Sequence, residues 1–202
     1  RKYNMNYILL MFGCLVVRFI TATKPFPVHF SIISRISWHG RPPKDLLTPI
    51  LNSEFAVSMV IIHDSGSDTN CSGLPCQSII QKLQNKDMDE KNYIDIGYNF
   101  LVDPWGSVYQ GRGFSIKGAH TQKYNHKSLG ICLVGNFTED EPTQQALKAT
   151  QTLIQYAVDM GQVASNYKLY GFRQLTPNPS DEPGEKLFSV IKTWSHFETS
   201  PP

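Results

Sequence analysis

The stretch Ala56-Val-Ser-Met-Val-Ile-Ile62, followed by His63-Asp64-Ser65-Gly66, decides the fold class. Its apolar run is nearly unbroken and rich in β-branched residues, and it stops on polar groups and a glycine. A run of that kind reads as a strand covered on both faces. It leaves His63 and Asp64 at the strand's carboxyl edge. Leu129–Val134 is a second buried strand of the same character, with Cys132 inside it. Tyr98–Val102 and Ser107–Gln110 are shorter strands around the turn Asp103-Pro-Trp-Gly106, and Tyr167–Tyr170 is a last short one. Between them lie helical patterns. Gln77–Asp87 carries Ile79, Ile80 and Leu83 at helical spacing. Ala146, Leu147, Thr150, Leu153, Ile154, Ala157 and Val158 form one face of a longer helix, with Pro142 in its first turn and Gly161 beyond its end. Leu187, Phe188, Ile191 and Trp194 mark a C-terminal helix. Strands alternating with helices predict a single α/β domain: a central mixed, mostly parallel sheet flanked by about three helices.

The 202 residues suit one domain with a short extension. Hydrophobic residues are 41% and charged residues 18%, so the chain is not of the disordered class. Nineteen Lys and Arg against 17 Asp and Glu give a net charge of +2, with no basic run. That balance argues against a nucleic-acid partner. Four cysteines are too few for a disulfide scaffold and lack zinc-finger spacing.

The N-terminal residues read as an address. Arg1 and Lys2 precede the apolar run Tyr7–Val17, which Arg18 stops and Phe19-Ile-Thr-Ala-Thr23 follows. About ten apolar residues is signal-peptide length, whereas a membrane span needs about twenty. Residues 1–23 are therefore expected to be a signal peptide, 24–32 a connector, 33–198 the domain and 199–202 a tail. The mature chain is expected to be secreted, without a membrane span. Secretion favours disulfides, and Cys71 and Cys76 close a small loop in which Gly73 and Pro75 allow a turn. Cys132 is expected to stay reduced and buried. Asn136-Phe-Thr138 is an N-glycosylation sequon following a strand, and Asn70-Cys-Ser72 is a second.

The densest polar cluster is Gly118-Ala-His120-Thr121 with Tyr124-Asn125-His126. Imidazole, phenol, amide and hydroxyl together suit a sugar or peptide ligand, because rings pack on apolar sugar faces while amides and hydroxyls meet polar groups.

With these residues in view the chain resembles the peptidoglycan recognition proteins, whose domain is similar to bacteriophage-type zinc amidases. The resemblance runs in order through Ser34-Arg-Ile-Ser-Trp38-His-Gly-Arg-Pro-Pro43, Val60-Ile-Ile-His63, the Cys71/Cys76 pair, Asp95-Ile-Gly-Tyr-Asn-Phe-Leu-Val102, Val108-Tyr-Gln-Gly-Arg-Gly-Phe114, Gly118-Ala-His-Thr121, Ser128-Leu-Gly-Ile131, Gly135-Asn-Phe137, Tyr170-Gly-Phe-Arg173 and Pro183-Gly184. It implies a groove for the muramyl-peptide part of bacterial peptidoglycan, lined by His63, Tyr98, Arg112, Phe114, His120, Thr121, Tyr124, Asn125 and His126. It also implies where an amidase of this family would hold zinc: at His63, at Phe172 and at Glu182. Catalytic zinc takes three protein ligands and an open position. Here only His63 is a good ligand, since a phenyl ring has no lone pair and Glu182 stands where a thiolate is usual.

The implied function is thus a secreted innate-immunity pattern-recognition protein that binds peptidoglycan without hydrolysing it and uses no cofactor. Its partners would be peptidoglycan and an immune-signalling protein or another recognition protein. The alternatives are a regulatory or decoy member acting through protein contacts, and a working zinc-dependent amidase. Asp64 and Asp87, which stand where histidines are common in the family, are expected to bring negative charge toward the ligand.

Overall fold

The computed structural model describes residues 31–50, 56–66, 71, 76–177 and 180–202. The expected leader and the connector up to residue 30 lie outside the described residues, as does Asn70. Among the described residues the sheet is mixed and six-stranded, and three α-helices pack on it. Its strands are β1 (Ile32–Ile33), β2 (Val57–Asp64), β3 (Phe100–Val102), β4 (Val108–Gln110), β5 (Ser128–Leu133) and β6 (Val163–Gly171), in the spatial order β1-β4-β3-β5-β2-β6. All neighbours are parallel except β3 and β4, which form the hairpin around Asp103–Gly106. The helices are α1 (Cys76–Asn85), α2 (Gln144–Asp159) and α3 (Glu185–Ile191).

β2 lies between β5 and β6, which is why its apolar run is continuous: both faces are covered. Val60 and Ile62 face one layer with Phe100, Val102, Ile131 and Leu133, against Leu147, Leu153 and Ile154 of α2 and Leu187 and Ile191 of α3. Met59 and Ile61 face the other side, with Tyr170 and Leu175. On that same side Trp38, Ile79, Ile80, Leu101, Tyr109 and Cys132 form a cluster with α1. Trp38 is fully buried and its indole Nε1 donates to the Gln110 carbonyl at 2.9 Å. Beside it, Arg35 grips the buried Asp95 carboxylate through both terminal nitrogens, at 2.9 and 2.6 Å.

Several elements differ from the sequence expectation. Pro142 stands outside α2, because Thr143 is the N-cap and its hydroxyl accepts from Ala146 N at 3.1 Å. β6 runs from Val163 rather than Tyr167. Its first half is an edge with polar, exposed residues, so hydrophobic patterning hides it. α3 ends at Ile191, and Trp194 packs against the core from the turn beyond. α1 passes into a π-helical turn, Lys86–Glu90, which places Asp87 and Met88 inside.

Candidate functional site

The site forms on the face of the sheet that carries α1, at the carboxyl end of β2. In the parallel register His63 stands beside Cys132, and Cys132 beside Leu101. One row back, Ile61 stands between Gly130 and Tyr170. Gly130 leaves an opening in that row, and the His120 ring fills it. A Cβ at Gly130 would lie 2.4 Å from His120 Cδ2, and one at Gly118 would lie 2.3 Å from the same atom. Two glycines therefore make the cradle of this imidazole, a role that glycine within a strand commonly signals.

The loop after β4 holds its own shape. Asn125 Oδ1 accepts from the backbone N–H groups of His120 at 3.0 Å and Thr121 at 2.8 Å. Asn99 ties this loop to the sheet: its Nδ2 donates to the Gly113 and Ile116 carbonyls, and its Oδ1 accepts from Gly130 N. His120 Nδ1 lies 3.1 Å from His63 Nε2 and 2.9 Å from Thr121 Oγ1, and Thr121 Oγ1 lies 3.2 Å from His63 Nε2. Burial, reinforced by His63 and Arg112, pushes the His120 pKa well down, so its ring is neutral. Its Nε2 is buried with no hydrogen-bond partner among the described residues. Such an unmatched atom is rare in folded proteins.

The other end of the site is built from three distant segments. His63 Nδ1 lies 2.6 Å from Glu182 Oε1. A carboxylate only accepts, so Nδ1 carries the proton and His63 Nε2 faces His120 and Thr121. The Phe172 ring lies against His63, with centroids 4.9 Å apart and planes tilted by 31°. Tyr98 meets His63 edge-on at 5.2 Å and packs against the cluster that holds Cys132. The positions 63, 172 and 182 thus converge in space. Among the described residues, no three His, Cys, Asp or Glu side chains come together as a group able to hold a metal ion.

The structure brings His63, Tyr98, His120, Thr121 and Asn125 together, with Tyr124 packed at the Ile61–Tyr170 edge. Arg112 adjoins them, but its guanidinium donates to the carbonyls of Ile96, Lys117 and Asp95 at 2.7, 2.9 and 3.3 Å, so it clamps the loop. His126 is exposed on the turn beyond Asn125. Phe114 departs from the expectation. It follows the left-handed Gly113 and packs on Phe100 and Tyr156, on the α2 side of the sheet, away from His63.

The two aspartates also depart from it. Asp64 is buried on the α2 side, and its Oδ2 accepts from Gly184 N at 2.8 Å, which fixes the start of α3. Asp87 is buried too; its Oδ2 accepts from Gly97 N and its Oδ1 pairs with Lys91 Nζ at 2.7 Å. Both carboxylates hold the fold together. Cys71 and Cys76 are joined by a disulfide at the start of α1, and Cys132 is free and buried.

The sequence reading missed Asn99, Gly118 and Gly130 as builders of the site. The signal for the first was a polar residue inside the apolar run Tyr98–Val102. For Gly130 it was a glycine inside a continuous buried strand.

A family model described as N-acetylmuramoyl-L-alanine amidase matches residues 53–185. The peptidoglycan recognition protein of Trichoplusia ni is 38% identical over 168 residues, which are 82% of this chain and 88% of that protein. Peptidoglycan recognition protein 3 of Homo sapiens is 39% identical over 168 residues, 83% of this chain; the chain spans about half of that relative, 47% of its length. Among solved structures, Drosophila PGRP-LB matches with a TM-score of 0.77 at 36% identity, over 83% of this chain and 96% of that one. Peptidoglycan recognition protein-LE, in complex with tracheal cytotoxin (monomeric diaminopimelic acid-type peptidoglycan), matches with a TM-score of 0.76 at 34% identity, over 83% and 95%. The tracheal cytotoxin-bound ectodomain complex of PGRP-LCa and PGRP-LCx matches with a TM-score of 0.75 at 36% identity, over 83% and 98%. The sheet order, the cluster of His63, Tyr98, His120 and Thr121, and these matches lead to one conclusion: the chain belongs to the peptidoglycan recognition protein family.

Proposed function

We propose that this chain is a secreted pattern-recognition protein of innate immunity, which binds the muramyl-peptide of bacterial peptidoglycan beside His63 and does not hydrolyse it. The observation that carries the second half is the 2.6 Å hydrogen bond between His63 Nδ1 and Glu182 Oε1. The residues at the three positions do not fit a catalytic zinc. One imidazole, one carboxylate bonded to it and a phenyl ring fall short of the three donors such a site takes. The binding half rests on the wall His120–Asn125 and on the relatives solved with tracheal cytotoxin. Binding needs shape and matched hydrogen bonds, and neither depends on an activated water.

Secretion is supported by the short apolar run Tyr7–Val17 and the Cys71–Cys76 disulfide. No helix among the described residues is long and apolar enough to cross a membrane. A second recognition protein as partner is suggested by the relative solved as a complex of two such ectodomains. The decoy reading draws on Asp64, Asp87 and the altered stretch from Phe172 to Glu182; the two aspartates are engaged inside the fold, which leaves that stretch as its support. Co-sedimentation with insoluble peptidoglycan, alongside an assay for released stem peptides, tests the proposal. Retention without release is the expected outcome. Failure to sediment removes the binding half, and release removes the other.

A further inference from the structure

The turn after β5 carries the sequon Asn136-Phe-Thr138. Asn136 is exposed, and its Oδ1 accepts from Thr138 N at 3.1 Å and from the Thr138 hydroxyl at 2.9 Å. These bonds use the oxygen of the amide and leave Nδ2 without a hydrogen-bond partner among the described residues. Phe137, between them, is buried and anchors the turn; its carbonyl accepts from Lys186 N at 2.9 Å, at the start of α3. The acceptor is therefore held outward on a rigid base. At its foot lies a cleft of about 260 Å³ lined by Pro104, Phe137, Asp140, Glu141 and Thr143 together with Asn136 itself. Pro104 and Phe137 offer apolar surface, and Asp140 and Glu141 offer carboxylates that accept from hydroxyls. A single hexosamine has both kinds of surface.

We infer that Asn136 carries an N-linked glycan whose first sugar seats in this cleft. In the transfer, Asn136 Nδ2 bonds to C1 of an oligosaccharide delivered by a lipid pyrophosphate donor. The bond from C1 to the donor's phosphate oxygen breaks, the amide loses one proton, and the lipid pyrophosphate leaves. No oxidant or reductant enters. The glycan lies on the α2 side of the sheet, away from His63 and His120, so the inference stands apart from what the groove binds.

The test expresses the full chain in animal cells treated to keep glycans in the high-mannose form. Protein from the medium is digested with an endoglycosidase that leaves one sugar, or with the amidase that removes the whole glycan. The expected result is a mobility shift that persists in N70Q and N70Q/T138S and disappears in N70Q/N136Q and N70Q/T138A. An unshifted N70Q product, in medium or cells, overturns the glycan, as does a shift that survives N70Q/N136Q. The one-sugar protein should melt about 2–4 °C above the same protein stripped by the amidase, which leaves an acceptor oxygen at position 136 for Thr138. Equal melting temperatures overturn the seat in the cleft.

Discussion

The two ends of the site around His63 are built differently. The His120 end is local: Asn125 binds the backbone of His120 and Thr121 a few residues away, and Gly118 and Gly130 cradle the ring. The Glu182 end joins residues 63, 172 and 182, brought from β2, the turn after β6 and the loop before α3. A wall of the first kind keeps its shape through bonds within one loop. A metal site of the second kind needs a donor from each segment at once, so one substitution disables it. Recognition can therefore outlast chemistry in the same groove.

The largest effect that tests this contrast is gain of metal. F172H together with E182C supplies an imidazole and a thiolate and releases His63 Nδ1. Zinc affinity of the double variant should rise by several orders of magnitude over the unmutated chain, given that a full structural set is worth about 10–16 kcal/mol. Each change alone should do little, as isothermal titration with zinc will show. Equal gains from either single variant would mean that the two ends do not differ as described.

Next comes the cradle. G130A places a methyl 2.4 Å from His120 Cδ2 and displaces the ring. Chemical denaturation should report a loss of about 1–3 kcal/mol, and sedimentation with peptidoglycan should fall sharply. Unchanged sedimentation would remove His120 from the binding wall.

A smaller effect concerns the floor that both ends share. Burial pushes the Cys132 thiol well above its ordinary value of 9.0, and burial likewise raises the Tyr109 phenol. The unfolded chain ionises first, so it binds fewer protons than the folded one above pH 9, and stability falls as pH rises there. Below pH 9 both states hold these protons, and the groups add no slope. Each fully titrating group contributes about 1.4 kcal/mol per pH unit. C132A should remove the thiol's share of that alkaline slope, measured by denaturation from pH 8 to 11, without changing sedimentation.

The smallest effect is at Glu182, whose side chain is 30% exposed. E182Q keeps an acceptor for His63 and removes the charge, so it should cost no more than about 1 kcal/mol. A larger loss would make the Glu182–His63 bond a principal support of the groove.

Much of this was legible in the residues. The β-branched runs at 56–62 and 129–134 located the central strands, and the apolar face from Ala146 to Val158 located α2. β1 escaped notice because two residues carry no period. Phe114 was misplaced because belonging to a motif does not say which face of the sheet a side chain meets, and Gly113 turns the chain just before it. By sequence alone, Asp64 and Asp87 are charges expected to face a ligand. Their partners, Gly184 N and Lys91 Nζ, become apparent only when α3 and the π-helical turn are in place. Phe172 and Glu182 were found by position in the motifs, but their contacts with His63 were not, since long-range pairing leaves no local pattern.

The central claim is that binding persists where the metal site does not, and one sample tests it. Unmutated protein purified from culture medium is sedimented with insoluble peptidoglycan, its zinc content is measured, and the supernatant is assayed for stem peptides. The account predicts protein in the pellet, zinc far below one per chain, no released peptide and no change on adding chelator. Stoichiometric zinc with released stem peptides, both lost on chelation, would contradict it.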